Sequence, residues 1–291
     1  DLCKIQYFEK YKKLDGFDPT KILTIENNDS HIDDQLFEKC TPLITKEHFR
    51  LSPSTIETYE DCPLKFKFQY VLKIPTPSKT FLSLGTAVHA VAENLTKMQK
   101  DNVQPTEKLA LEILGKHWNA STYRSQKTKE KQDKVTSKEM IKTYLEWEKN
   151  NKNKPIDVEP YFRIPFNGVT ISGKIDRVEQ TPEGEYEVID FKTGAAYKNK
   201  NTIKDSVQMN VYAMGVEKLY GKLPKKASLF YIKHDKMVPH IIEEEALEDF
   251  KQKLGITVEA IFDEKFPANP DSWKCSRCDY AGICDEKDVT N

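Results

Sequence analysis

Two aspartates and a lysine are the residues of this sequence whose types and spacing are best suited to chemistry. Asp176 lies near the end of one predicted strand, and Asp190 and Lys192 lie two positions apart on the next. Because side chains alternate along a strand, Asp190 and Lys192 point to the same face. Two carboxylates can share a divalent cation, and a nearby lysine can orient an attacking water or offset charge on a phosphate. An ordinary cross-strand ion cluster is the alternative interpretation.

The loop between these strands decides whether the two acids meet. Residues 182–184, Pro-Glu-Gly, predict a three-residue hairpin loop whose type I turn ends in a left-handed glycine. In that register Asp176 lies opposite Asp190, with about 5 Å between their Cβ atoms, whereas a two-residue loop would turn Asp176 to the other face. We expect one strand over residues 169–178 and a surface-facing Asp190. Hard oxygen ligands favour Mg²⁺ or Mn²⁺ at such a site.

Two pairs of polar residues lie on the predicted helices around these strands. His89 and Glu93 are four positions apart on one helix, and Gln208 and Tyr212 are four apart on another, so each pair shares a helix face. His89 could add a nitrogen ligand to the cation, and Gln208 and Tyr212 could contact phosphate or the substrate backbone. A half-buried histidine and a helix-packing pair are the alternatives.

The charge of the chain gives no global attraction to nucleic acid, because the net charge is −1. The segment 124–154 nevertheless carries ten basic and five acidic residues, which indicates either a phosphate-facing surface or a solvated helical face. Lys198, Lys200 and Lys204 are further candidates for DNA binding. No run of about 18 apolar residues predicts a membrane span, and we expect an intracellular protein of the cytoplasm or nucleoid.

Four of the six cysteines have the spacing of a metal site. Cys275, Cys278 and Cys284 form C-x₂-C-x₅-C, and Cys62 is the fourth candidate. Zinc sites usually take ligands in two local pairs, so the three-plus-one arrangement better fits a Cys₄ iron–sulfur cluster, with zinc as the alternative. The remaining cysteines, Cys3 and Cys40, are expected to be free thiols.

The order of the predicted elements is helices, then strands, then an αβα tail. A chain of 291 residues can form one large domain or two small ones. We expect an N-terminal arm over residues 1–50, or a remnant of an upstream domain, since the sequence begins without methionine or a signal core. The domain of interest is expected at 51–291, with a helical insertion at about 100–155 and a cysteine staple joining Cys62 to 275–284.

These motifs, taken together, resemble a known family. Asp176, the strand 188–194 and Gln208-x₃-Tyr212 resemble the later motifs of PD-(D/E)XK nucleases of the RecB type, and Gly85-x₃-His89 resembles their leading histidine motif. The four-cysteine bracket is similar to the iron–sulfur staple of AddB-type and CRISPR-associated RecB-like exonucleases. The resemblance spans about residues 51–285.

The resemblance implies an α/β fold with a restriction-endonuclease-like core, in which a central mixed sheet is flanked by helices, with an N-terminal helical part and a C-terminal cysteine-rich staple. It implies a Mg²⁺- or Mn²⁺-dependent deoxyribonuclease with a structural 4Fe–4S cluster, acting on single-stranded DNA ends in repair or recombination. A UvrD/Rep-class helicase domain, in the same or a partner chain, is the implied partner. The alternative is a catalytically inactive iron–sulfur DNA-binding module.

The resemblance also assigns roles to the site residues. It implies metal ligation by the side chains of His89, Asp176 and Asp190 and by the backbone carbonyl of Phe191, with Glu93 as an accessory residue. Lys192 would orient the water. Gln208 and Tyr212 would bind DNA or maintain the active-site geometry.

Overall fold

The computed structural model describes residues 43–76, 81–123, 126–194 and 203–288. The chain divides into two compact units. The first comprises the described parts of Asp1–Phe49, Ser54–Thr76 and Ile256–Asn291, and the second comprises those of Arg50–Pro53 and Pro77–Gly255. The predicted arm at 1–50, domain at 51–291 and insertion at 100–155 stay predictions. Within the described ranges, no helix combines the length and the hydropathy that crossing a membrane requires.

In the described chain, a largely helical first half is followed by five successive strands, then by one helix, two strands and two helices. The helices are α1 (Pro53–Asp61), α2 (Pro63–Phe66), α3 (Phe81–Lys100), α4 (Glu107–His117), α5 (Lys127–Asn150), α6 (Val207–Tyr220), α7 (Glu244–Phe262) and α8 (Ser272–Ser276). The strands are β1 (Arg50–Leu51), β2 (Lys154–Val158), β3 (Tyr161–Phe166), β4 (Val169–Lys174), β5 (Arg177–Gln180), β6 (Tyr186–Lys192), β7 (Lys226–Tyr231) and β8 (Lys236–Ile241).

The described strands form two mixed sheets flanked by helices, where the sequence predicted one central sheet. A three-stranded sheet has the order β1-β4-β3, with β1 parallel to β4. A five-stranded sheet has the order β2-β5-β6-β7-β8, in which β6 and β7 are parallel and the other neighbours antiparallel. The α/β class is confirmed, and the single sheet is wrong because the chain passes from one ladder to the other between β4 and β5.

A bend divides the strand that was predicted over residues 169–178. The segment opposite this bend, which connects β2 to β3, turns at Glu159 and Pro160. Glu159 has a left-handed φ of 54°, and Pro160 has no N–H to donate to a ladder. Ile175 N still donates to Pro160 O, and Glu159 N to Asp176 O, both at 3.1 Å. The register of the β2–β5 and β3–β4 ladders therefore continues through the bend, and Asp176 lies at the bend itself.

The predicted hairpin register after the bend is confirmed. β5 and β6 pair from Arg177↔Ile189 to Gln180↔Tyr186, as the three-residue loop requires. Gly184 has a φ of +84°, and its N–H donates to Thr181 O at 2.9 Å. The left-handed glycine thus closes the turn, and the loop fixes which residues of β6 lie beside the bend.

The buried ring of Phe162 joins the three-stranded sheet to α6. A Cβ on Gly173 or Gly215 would lie only 2.6 or 2.7 Å from this ring, so both positions require glycine for the ring to fit. Tyr212, one turn before Gly215 on α6, meets the ring edge-on at a centroid distance of 6.1 Å. Packing against Phe162 therefore orients the face of α6 that carries Tyr212.

A buried arginine joins β5 to two helices. Arg177 has no solvent exposure and pairs with both carboxylate oxygens of Glu148 on α5, at 2.5 and 2.9 Å. Its Nε lies 2.6 Å from Glu179 Oε1, and its Nη1 donates to Thr96 Oγ1 on α3 at 3.0 Å. Because Arg177 follows Asp176 directly, this network fixes the bend against the helices.

The first unit brings α1 and α2 together with the C-terminal segment. Leu64 N donates to Pro267 O at 3.2 Å, and the Tyr280 hydroxyl donates to Ile74 O at 3.1 Å. The Asn269 side chain donates to Asp61 O at 3.0 Å. These bonds connect positions more than 200 residues apart in sequence, on either side of Cys62.

Replacing Arg177 tests how much this buried network stabilises the fold. Arg177→Met should lower the free energy of unfolding by about 3–5 kcal/mol, because Glu148 and Glu179 would be left as buried charges without their cation. Urea unfolding followed by circular dichroism measures the change. Lys142→Met, which breaks the exposed pair with Glu139, is the control. An Arg177→Met variant as stable as the control would contradict the role of the network.

Candidate active site

One cleft of about 710 Å³ has walls from α3, α5, α6 and the end of β6. Seven residues that the sequence predicted for catalysis or metal binding line it. They are His89, Asp176, Asp190, Phe191, Lys192, Gln208 and Tyr212. The fold therefore brings these predicted groups together from three separate elements and from the bend before β5.

The amide of Gln208 links the other polar groups of the cleft. Its Oε1 accepts a hydrogen bond from Lys192 Nζ at 2.8 Å. Its Nε2 donates to Asp190 Oδ1 and to the Tyr212 hydroxyl, both at 2.9 Å. Because both N–H groups and the carbonyl of the amide have partners, this geometry admits one amide orientation. Gln208 thereby fixes where the lysine and the aspartate lie relative to each other.

Asp190 is buried, with 3% exposure, and the expectation that it faces the surface is wrong. β6 is the middle strand of the five-stranded sheet, so its side chains are covered on both faces. Burial and, to a smaller extent, the charge of Asp176 raise the pKa of Asp190 to about 6, against the opposing effect of Lys192. Lys192 Nζ lies 2.7 Å from Asp190 Oδ2. The carboxylate is therefore held charged by the lysine against the cost of burial.

Asp176 faces both β6 and α3 from its place in the bend. Its Oδ2 accepts a hydrogen bond from Phe191 N at 2.7 Å and lies 3.5 Å from His89 Nδ1. Burial alone would lower the pKa of His89, but the hydrogen bond and charge of Asp176 outweigh it and raise the pKa above its usual value. The imidazole and the two acids thus form one coupled electrostatic group.

Glu93 lies apart from the acid pair. It lines a neighbouring cavity of about 500 Å³ that is shared with His89 and Glu159. Burial would raise the pKa of Glu93, but the ion pair with Lys97 lowers it overall. Glu93 is therefore placed beside His89 without lining the cleft that contains Asp190.

The lysines predicted for DNA binding are only partly described. Lys204 is exposed, and its backbone carbonyl accepts a hydrogen bond from the Asn210 side chain at 3.1 Å. Lys198 and Lys200 lie outside the described residues.

Several polar residues that the sequence did not single out also line the cleft. Lys129, Gln132 and Thr136 come from the first turns of α5, and Lys233 follows β7. Lys129 forms an ion pair with Asp133. The basic composition of segment 124–154 was a signal for the α5 wall, but nothing local indicated which face of the helix meets the cleft.

The donor chemistry of the cleft fits a divalent cation. Two carboxylates and an imidazole converge on it, and Asp190 Oδ2 is buried without a hydrogen bond of good geometry. Oxygen donors of this kind suit Mg²⁺ or Mn²⁺. Within the described ranges, no three acidic, histidine or cysteine side chains are already arranged as a complete metal-binding group.

The four cysteines of the predicted bracket lie in the first unit and line one cavity. Burial raises the pKa of the Cys284 thiol, and the three other cysteines raise it further. The neighbouring core contains Leu64, Phe68 and Tyr280. The structure describes these residues as free cysteines, and among the described residues they do not form a closed ligand set.

Comparison with known proteins gives a family and two viral relatives. The profile of the PD-(D/E)XK nuclease superfamily matches residues 50–285. The Gene 69 protein of Mycobacterium phage D29 is 27% identical over 265 residues, which cover 80% of this chain and 95% of the phage protein. The Gene 69 protein of Mycobacterium phage L5 is 23% identical over 283 residues, with the same coverage of 80% and 95%.

A solved structure is also similar to this chain. The crystal structure of a provisionally assigned exonuclease from Eubacterium rectale has a TM-score of 0.44 and 13% identity, and the alignment covers 85% of this chain and 96% of that protein. The family assignment rests on the profile, which spans most of the sequence and includes every residue of the cleft. This chain belongs to the PD-(D/E)XK nuclease superfamily.

Proposed function

We propose that this protein is a Mg²⁺- or Mn²⁺-dependent deoxyribonuclease that degrades single-stranded DNA from its ends. The observation that carries the proposal is the hydrogen-bonded set of Asp190, Gln208 and Lys192 facing Asp176 and His89 in one cleft. A nuclease of this superfamily hydrolyses phosphodiesters, and the cleft supplies carboxylates that would hold the divalent cation that this reaction needs.

The side chains of His89, Asp176 and Asp190 and the carbonyl of Phe191 would hold the divalent cation. When bound, such a cation acts as a Lewis acid toward the phosphate and lowers the pKa of water. Asp176 is already oriented by the Phe191 N–H, and Asp190 by Gln208. The protein thus fixes the ligands through hydrogen bonds that do not depend on the substrate.

Lys192 is the residue that acts on the reacting groups. Its Nζ is held 2.8 Å from Gln208 Oε1 and 2.7 Å from Asp190 Oδ2. The ammonium charge would orient the attacking water or offset the charge that develops on the phosphate. Gln208 and Tyr212 are positioning residues in this scheme.

We further propose a 4Fe–4S cluster on Cys62, Cys275, Cys278 and Cys284. Four thiols that line one cavity, in the three-plus-one spacing, support this assignment. The cluster would join α2 to the C-terminal segment, which the Leu64–Pro267 hydrogen bond already links. We place the activity in DNA repair or recombination beside a helicase domain; the support for this step is the resemblance of the motifs alone.

Asp190→Asn tests the reaction. The variant keeps the shape of the side chain but loses a metal-binding charge, so Mn²⁺-dependent digestion of end-labelled single strands should fall by more than about 100-fold, beyond the usual effect of a supporting residue. Near-natural activity in a folded Asp190→Asn protein would leave the non-catalytic DNA-binding module as the better description. Labels at the 5′ and the 3′ end also distinguish exonucleolytic from internal cleavage.

Gln208→Met and Tyr212→Phe form a matched pair that tests the positioning role. Gln208→Met removes the partner of Asp190 and Lys192, and it should lower kcat by about 10–100-fold. Tyr212→Phe removes only one acceptor of the amide and should have a smaller effect. If both variants lose activity equally, Gln208 does not act by holding the other two groups.

Cys62→Ser tests the cluster. Protein purified without air should be brown and contain iron, and Cys62→Ser should lose both iron and thermal stability, because one end of a link across more than 200 residues is released. Cys40→Ser is the control and should keep its iron. If the natural protein is colourless and contains zinc, the iron–sulfur cluster is rejected and the four cysteines form a zinc site instead.

A further inference from the structure

The outer face of the three-stranded sheet is basic. Arg50 is paired with Thr170, Arg163 with Ser172, and Tyr161 with Lys174 in the ladders, so strand alternation puts these side chains on one face. Arg50, Tyr161, Arg163 and Lys174 are exposed. We call this surface, formed by Arg50, Tyr161, Arg163, Ser172 and Lys174, the basic face.

The two arginines of the basic face are available to an anion. No acidic side chain in the described part of the chain pairs with Arg50 or Arg163. The third cation of the basic face, Lys174, does form an ion pair with an acid, Glu159. The charge of that acid is thereby offset, and the surface as a whole is complementary to a polyanion.

An aromatic ring lies among these cations. Tyr161 is 50% exposed, and the Arg163 guanidinium lies 5.3 Å from its ring centroid. Arg163 Nε also donates a hydrogen bond to the Tyr161 hydroxyl at 3.4 Å, which orients the ring. An exposed, oriented ring beside arginines is the combination on which unpaired bases stack.

The basic face leads to the cleft. The ladder register continues through the bend, so Asp176 lies on the same face as Lys174, two positions earlier. The Lys174–Glu159 ion pair crosses this ladder diagonally, and Glu159 lines the cavity that His89 shares. From Asp176 to Thr170 the strand spans about 20 Å, which is enough for several nucleotides.

We propose that the basic face binds single-stranded DNA on one side of the bond that is cut, with Arg50 and Arg163 on phosphates and Tyr161 under a base. This inference deepens the proposed function and rests on it. A duplex would present phosphates to the arginines, but its paired bases would not reach the ring.

A double variant, Arg50→Gln with Arg163→Gln, tests the phosphate contacts. Binding of a fluorescent oligothymidylate is measured by anisotropy in EDTA over a range of salt concentrations. The dissociation constant should rise at least about tenfold, and the slope of log affinity against log salt should fall by about 1.4, since each phosphate contact on a single strand contributes about 0.7. Lys218→Gln with Lys225→Gln removes two exposed charges elsewhere and is the matched control.

Tyr161 gives an independent readout. Tyr161→Ala should weaken binding at least about fivefold, and Tyr161→Phe should restore it, because the ring and not the hydroxyl stacks on the base. Thermal unfolding of each variant establishes that it is folded. A double variant that behaves as the lysine control, or tighter binding of duplex than of single strands, would overturn the inference.

A small diester separates this inference from the proposed function. Hydrolysis of bis(p-nitrophenyl) phosphate by the natural protein with Mn²⁺ reports on the cleft alone. If the natural protein hydrolyses neither this diester nor DNA, the proposed function fails, even if binding of oligothymidylate still depends on Arg50 and Arg163. If the diester is hydrolysed but the double variant binds oligothymidylate normally, the proposed nuclease function is retained and the DNA-binding role of the basic face is rejected.

Discussion

The buried guanidinium of Arg177 is the interaction on which the site depends. It follows Asp176 directly and contacts Glu148 on α5, Thr96 on α3 and Glu179 on its own strand. The helix that carries His89 and the helix that lines the cleft are thus fixed to the strand that begins at the bend. A buried ion network of this kind is costly to desolvate and adds little net stability compared with an apolar core, but it is directional. Its value here is that it determines where Asp176 lies.

The chemistry of the cleft follows from burial of Asp190 in the middle of the sheet. A buried carboxylate without partners would be neutral, and the pKa of about 6 reflects that tendency. Lys192 and the Gln208 amide supply opposite charge and an N–H donor, so the group remains an acceptor. In the proposed mechanism, the same low-dielectric setting would strengthen the interaction of the lysine with a phosphate. Burial would thereby contribute to the proposed catalytic role of Lys192.

The first unit joins segments that are far apart in the sequence. Its two parts come from opposite ends of the described chain, and loop closure over such a length carries an entropic cost. Hydrogen bonds such as that of Tyr280 with Ile74 and an apolar cluster under the cysteines connect the two parts. Thiols that line one cavity in this position are well placed to add a covalent link through a metal centre. The nuclease cleft is built entirely within the second unit.

Local patterns in the sequence determined the hairpin register and the helical pairs. The Pro-Glu-Gly loop allows one register because Gly184 takes a left-handed conformation, and Gln208 and Tyr212 share a face because helical periodicity is local. The α/β class and seven of the cleft residues were predicted from the motifs together with the family resemblance that they carry. The break at Asp176, the burial of Asp190, the α5 wall and the basic face were decided by the tertiary structure. Each depends on pairing between distant segments, such as Glu159 and Pro160 against the bend, and alternation within one strand cannot specify which segment packs against it.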